Sequence, residues 1–187
     1  MKTKGIFRIL KSLMGVGLLV VMLVSCSESD TVMDEMMDND VPQMGGDAVS
    51  APSFSLKDLG GNEVMLADFD KKVLVMFFFG NGCPACKAAG PSIQSKLADA
   101  FVSNANFSIV GLDQWDGNEA AVQSFKNTSG VKFPLLLKAS ATARSYGTTF
   151  DRIVVIDKEG NIRFNGTRSA ASDVDAAVAV VKEYLDK

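Results

Sequence analysis

Seven consecutive apolar residues, Val73–Phe79, run into Gly80-Asn81-Gly82 and then into a spaced pair of cysteines, Cys83 and Cys86. A bounded apolar run of this length, rich in Val and Phe, suits a strand covered on both faces, since both sets of alternating side chains need apolar partners. After the cysteines the period changes. Ala89, Ile93, Leu97 and Phe101 recur at every fourth position, which makes one apolar stripe of a helix. A doubly covered strand that feeds a helix belongs to an α/β architecture, and it puts both thiols at the strand-to-helix corner.

The remaining pattern extends this reading. Phe54 and Leu56 alternate with Ser53, Ser55 and Lys57, and Val64 and Leu66 resume the alternation after Gly60-Gly61-Asn62, which predicts an N-terminal hairpin. Residues 107–112 and 153–156 are further buried strands, residues 133–137 a short one, and Ile162 and Phe164 alternate in a last strand after a turn at 157–161. Helices are predicted over 118–126 and 141–146. A final helix carries Val174, Ala177, Val178, Val181 and Leu185 on one face, with Ser172 as its N-cap and Asp173 and Asp175 in its first turn. The order is that of a three-layer α/β domain over residues 51–187.

The first 50 residues read differently. Lys2, Lys4, Arg8 and Lys11 precede an apolar stretch over 13–24, shorter than the roughly 20 residues of a membrane span, as in a secretory leader. Leu23-Val24-Ser25-Cys26 resembles a bacterial lipobox, so residues 1–25 are expected to be a lipoprotein signal peptide and Cys26 the lipidated residue. Residues 26–50 are acidic and lack sustained hydrophobic periodicity, which predicts a flexible tether. Met33, Met36, Met37 and Met44 lie in it. Thioethers suit Cu(I), but the plain reading is a linker that contains methionine.

Composition narrows the chemistry. The chain has no histidine, which removes Ser-His and Cys-His nucleophile pairs and most zinc sites. A net charge of −3 without a basic run gives no electrostatic basis for binding nucleic acid. With Cys26 lipidated, only Cys83 and Cys86 remain of three cysteines, in a compartment where disulfides persist. Cys83 falls at the helix start, where unpaired N–H groups and the positive dipole end favour a thiolate. Pro84 suits the first helical turn, and Cys86 extends the buried stripe of Ala89.

Cys83-Pro84-Ala85-Cys86, followed by Pro91, resembles the active-site segment of the thioredoxin superfamily. The hairpin at 51–56 with Gly60-Gly61, the Tyr146-Gly147 pair, and Val155-Ile156-Asp157 leading to Gly160 are similar to its TlpA/ResA-like and AhpC/TSA (redoxin) branches. The resemblance covers residues 51–187 and implies a thioredoxin fold with a central mixed sheet and an added N-terminal hairpin. It also implies a thiol–disulfide oxidoreductase, with Cys83 as nucleophile, Cys86 as resolving thiol, and Pro84, Ala85 and Pro91 in support. No metal or other cofactor is expected. The expected partners are protein disulfide or dithiol substrates, a membrane electron donor for re-reduction, and the membrane itself through the lipid. The expected location is the bacterial cell envelope, facing the periplasm.

Three departures from that family stand out. Its cis-proline has no counterpart between Tyr146 and Asp157, where Asp151 and Arg152 stand instead. Met76 and Phe77 occupy the strand positions of the family's buried acid, and Gly82 replaces the tryptophan often found before the first cysteine. Trp115, after the strand at 107–112, either flanks the site or caps the core, the cap being the plainer reading, and Asp113 and Asp157 are read as turn residues. Two rival readings are a thiol-dependent peroxidase and a non-catalytic binding module. The peroxidase motif P-x-x-x-T/S-x-x-C would need Gly80 to be a hydroxyl residue and Met76 a proline, with Arg152 its one possible remnant.

Overall fold

The structure, a computed structural model, describes residues 49–187. The leader, Cys26 and the methionine-bearing part of the tether lie outside the described residues. The elements, in chain order, are strands β1 (Val49–Ser50), β2 (Ser55–Lys57), β3 (Glu63–Met65) and β4 (Val73–Phe79), helix α1 (Pro84–Ile93) and strand β5 (Phe107–Asp113). Helix α2 (Glu119–Ser129), strand β6 (Leu135–Leu136), helix α3 (Ser140–Ser145), strands β7 (Arg152–Ile156) and β8 (Asn161–Asn165) and helix α4 (Ala170–Leu185) follow.

Six strands form one mixed sheet in the order β1-β8-β7-β4-β5-β6, and β2 and β3 pair as a separate antiparallel hairpin. β4 runs parallel to β5 and antiparallel to β7, with Phe79 opposite Asp113 and Phe78 opposite Arg152. The seven side chains of β4 are all buried, and their two-residue period divides them between two cores. Val73, Val75, Phe77 and Phe79 pack with α1, α2 and α4, while Leu74, Met76 and Phe78 pack with Phe54 of the hairpin segment and Ala143 and Tyr146 of the α3 region. The sheet is thereby covered on both faces, as the apolar run requires.

The stripe on α1 holds, with an adjustment that the sequence pattern conceals. Ala89, Ile93 and Leu97 are buried and Phe101 packs against them. A regular helix turns every 3.6 residues, so side chains at four-residue spacing drift around its axis. Beyond Pro91, the helix passes into a π-helical turn, Gln94–Asp99, whose wider turn takes up that drift. Pro91 itself lies inside α1 and supplies no N–H to the turn before it.

Four boundaries differ from expectation by more than a residue, the first being α2, which runs on to Ser129. Val49 and Ser50, assigned to the tether, pair with Ile162 and Asn161 at the sheet edge. Two residues carry too little alternation to announce a strand. The N-cap of α4 is Ser169, not Ser172, which sits one turn inside the helix. Both are serines within one turn of the apolar stripe, and Ala170, fully buried with its N–H on the Asp151 carboxylate, belongs to the earlier start. The strand expected over 133–137 shortens to Leu135–Leu136.

Tyr146 ties the two sides of the second core together. Its ring lies 5.9 Å from that of Phe78, and its hydroxyl donates to the Pro52 carbonyl at 2.7 Å, pinning the hairpin segment to the end of α3. Burial pushes the phenol's pKa well above its ordinary value. Tyr146→Phe leaves that carbonyl without its donor. Urea unfolding is expected to show a loss of about 1 kcal/mol, the net worth of one such hydrogen bond.

Candidate redox site

The carboxyl ends of β4 and β5 and the start of β7 lie at one edge of the sheet, as the pairings of Phe79 with Asp113 and Phe78 with Arg152 require. Three loops leave from that edge: 80–83 towards α1, 114–118 towards α2, and 147–151 into β7. Cys83 and Cys86 form a disulfide there, with Cα atoms 5.3 Å apart. Cys83 is the N-cap of α1, and its sulfur accepts the N–H of Cys86 at 3.1 Å. A sulfur thus fills the place of the usual capping oxygen and bonds the N3 amide of the helix. Pro84 is at the first helical position, where its missing N–H leaves nothing unpaired. Ala85, the other residue inside the motif, is exposed. Both cysteines are buried, at 3% and 0% exposure, so they differ in hydrogen bonding more than in access.

The loop that delivers Cys83 is held by a residue that sequence reasoning undervalued. Asp113 is fully buried at the end of β5. Its carboxylate accepts the backbone N–H of Asn81 at 3.1 Å, of Gly117 at 2.7 Å and of Trp115 at 3.3 Å, and also the Asn81 side-chain amide at 3.1 Å. It is an acceptor-only group saturated by donors from two loops, not just a turn residue. The local bonds were legible, since an aspartate at a strand end with glycine four residues on invites such a turn. The Asn81 bonds, 32 positions away in sequence, were not. Asp157 does act as a turn residue. Burial opposes its ionisation, but the N–H groups of Asn161 and Glu159 and the Arg163 guanidinium outweigh this and hold its carboxyl below the usual range.

Trp115 takes the flanking one of its two readings. It does not cap the core. Its indole lies against the motif loop, so that a Cβ at Gly80 would fall 2.8 Å from Nε1 and one at Gly82 3.1 Å from Cζ3. The ring meets Phe150 edge-on, centroids 5.2 Å apart. An aromatic residue from the next loop thus covers the place where Gly82 leaves out a side chain. The signal for this was the pair of glycines, which only the fold sets beneath the ring.

Where the resembling family has its proline, Asp151 adopts φ 57°, a left-handed conformation uncommon outside glycine. Its carboxylate is buried and accepts the N–H of Ala170, the first residue of α4, at 3.3 Å. The half-buried Arg152 donates from Nη1 to the Asp151 carbonyl at 2.8 Å.

These features define a disulfide at a helix start on a thioredoxin-type sheet. The chain belongs to the Redoxin family, whose profile matches residues 46–181. It is 30% identical over 114 residues to the thiol-disulfide oxidoreductase ResA of Bacillus thuringiensis, a match over 60% of this chain and 64% of that one. The chain therefore spans less than two thirds of that relative's length. A Mycobacterium tuberculosis protein that carries a peroxiredoxin name is 28% identical over 127 residues, covering 60% of this chain and 78% of its own. Among solved structures, the thioredoxin domain of a thiol-disulfide oxidoreductase from Bacteroides vulgatus superposes with a TM-score of 0.59 at 27% identity, covering 70% of this chain and 96% of that domain.

Asp113→Ala would leave three part-buried backbone N–H groups and the Asn81 amide without an acceptor. Urea unfolding is expected to show a loss of about 3 kcal/mol. Asp175→Ala, which breaks only the exposed ion pair with Lys96, should cost less than about 0.5 kcal/mol.

Proposed function

We propose that this chain is a membrane-tethered, extracytoplasmic thiol–disulfide oxidoreductase that reduces protein disulfides through Cys83 and Cys86. The observation that carries the reading is the Cys83 sulfur standing as N-cap and accepting the Cys86 N–H. In the reduced protein the same position surrounds that sulfur with helix N–H groups and the positive dipole end, which favour a thiolate. The thiolate attacks one sulfur of a substrate disulfide. A Cys83–substrate bond forms, the substrate S–S bond breaks, and its electron pair and a proton go to the leaving sulfur. Deprotonated Cys86 then attacks the Cys83 sulfur, releases the second substrate thiol and leaves the enzyme disulfide. A dithiol donor at the membrane returns the pair to the reduced form with two electrons and two protons. Pro84, Ala85 and Pro91 shape the helix that carries the pair, and Asp151 and Arg152 shape the loop at the same sheet edge.

Cys86→Ser is expected to accumulate mixed disulfides that dithiothreitol releases, while Cys83→Ser traps none and loses insulin reduction. Equal trapping by both variants would remove the assignment of roles. A reduction potential near the about −270 mV of thioredoxin supports the reducing direction, and one near the about −120 mV of DsbA would reverse it. The tether rests on the lipobox-like Leu23-Val24-Ser25-Cys26. Cys26→Ser should abolish palmitate labelling and move the protein from the membrane fraction to the soluble one.

A second reading, thiol-dependent peroxidase, is favoured by the mycobacterial relative's peroxiredoxin name. Gly80 and Met76 lack the hydroxyl and the proline of the peroxidase motif. Peroxide consumption with a dithiol donor, at a rate close to that of a peroxiredoxin, would put this reading first.

A further inference from the structure

Five large apolar side chains are exposed among the described residues: Val49, Met65, Val102, Trp115 and Phe150. The two aromatic ones touch each other, and the indole lies on the glycines that lead into Cys83. Trp115 is 46% exposed and Phe150 38%, so neither ring is there to complete the core. Both are braced. The Trp115 N–H is held by the Asp113 carboxylate, and Phe150 precedes Asp151, whose carboxylate is tied to the start of α4. The Thr149 hydroxyl donates to Gln114 Oε1 at 3.3 Å, so the residues adjoining the two aromatics bridge their loops a second time. On the other side the indole lies on Gly80 and Gly82, and Gly82 adjoins Cys83 with no side chain to separate them.

This arrangement sets a requirement on the substrate. Cys83 is only 3% exposed, so a disulfide that reaches its sulfur must press into the rim around it. Part of that rim is an aromatic pair whose loops are hydrogen-bonded on both sides. Rings held in place in this way lose little conformational freedom when a partner's apolar side chain covers them.

Resting on the exchange reading above, we propose that Trp115 and Phe150 form a docking surface for an extended polypeptide segment. It selects disulfides whose cysteine is flanked by a bulky apolar residue. The aromatic contact that the motif loop lacks at Gly82 is thus supplied from two neighbouring loops.

The test uses two disulfide peptides of equal length that differ only in Leu or Ser next to a cysteine, with hydroxyethyl disulfide as a small substrate. The wild-type chain is expected to favour the Leu peptide about tenfold in kcat/KM. Phe150→Ser, which leaves the indole on the glycines, should bring that ratio towards one, as should Trp115→Ala. Trp115→Phe should keep most of it. The proposal is overturned if wild type treats the peptides alike, if the ratio survives in both Phe150→Ser and Trp115→Ala, or if these variants slow all three substrates equally. Turnover of hydroxyethyl disulfide without discrimination between the peptides removes the docking surface and leaves exchange standing. Failure to turn over any substrate removes both.

Discussion

The buried carboxylate of Asp113 is the interaction on which the site depends. It sits at the end of β5, in register with Phe79 at the end of β4, and takes donors from the loops that follow both strands. Without an acceptor, those part-buried N–H groups would be unpaired, so the loops would shift towards solvent. With it, one charge fixes the path into Cys83 through Asn81 and the path into α2 through Trp115 and Gly117. Phe79 lies beneath this corner, stacked on Phe125 of α2 with centroids 4.0 Å apart. Polar loop and apolar floor are anchored by neighbouring residues of the same two strands.

The same corner explains how the chain departs from its relatives without losing the architecture. The thioredoxin family commonly places a tryptophan before the first cysteine and a proline opposite it. Here the first position is Gly82 and the second is Asp151 in a left-handed conformation. Neither place is vacant. Trp115 lies over the glycines, and Asp151 fastens its loop to α4. Ring area and loop rigidity are both kept, with the residues that provide them drawn from other positions.

What could be read in the sequence was whatever depended on local period. The seven apolar residues of β4 and the Ala89-Ile93-Leu97 stripe each announce themselves within a few positions, and each is in place. The pattern failed where two local signals were equivalent, as with Ser169 and Ser172, or where a segment was too short to show alternation, as with Val49–Ser50. It also failed where meaning came from residues far apart. Nothing near Trp115 says that Gly80 and Gly82 lie under its ring, and nothing near Asp113 points to Asn81. The cysteine pair was legible and its surroundings were not, because a motif is local and the groups around it come from three separate loops.

The N-cap bond from the Cys86 amide to the Cys83 sulfur joins two properties usually measured apart. That sulfur is both a structural acceptor at the start of α1 and an atom of the disulfide. Its strength as an acceptor therefore changes with every turnover, since a thiolate attracts an amide proton more strongly than a disulfide sulfur does. A thermodynamic cycle then makes the stability gap between the oxidised and reduced folds, and the protein's tendency to give up electrons, two views of one quantity. Any substitution that shifts the first turn of α1 is in this sense also an adjustment of a battery.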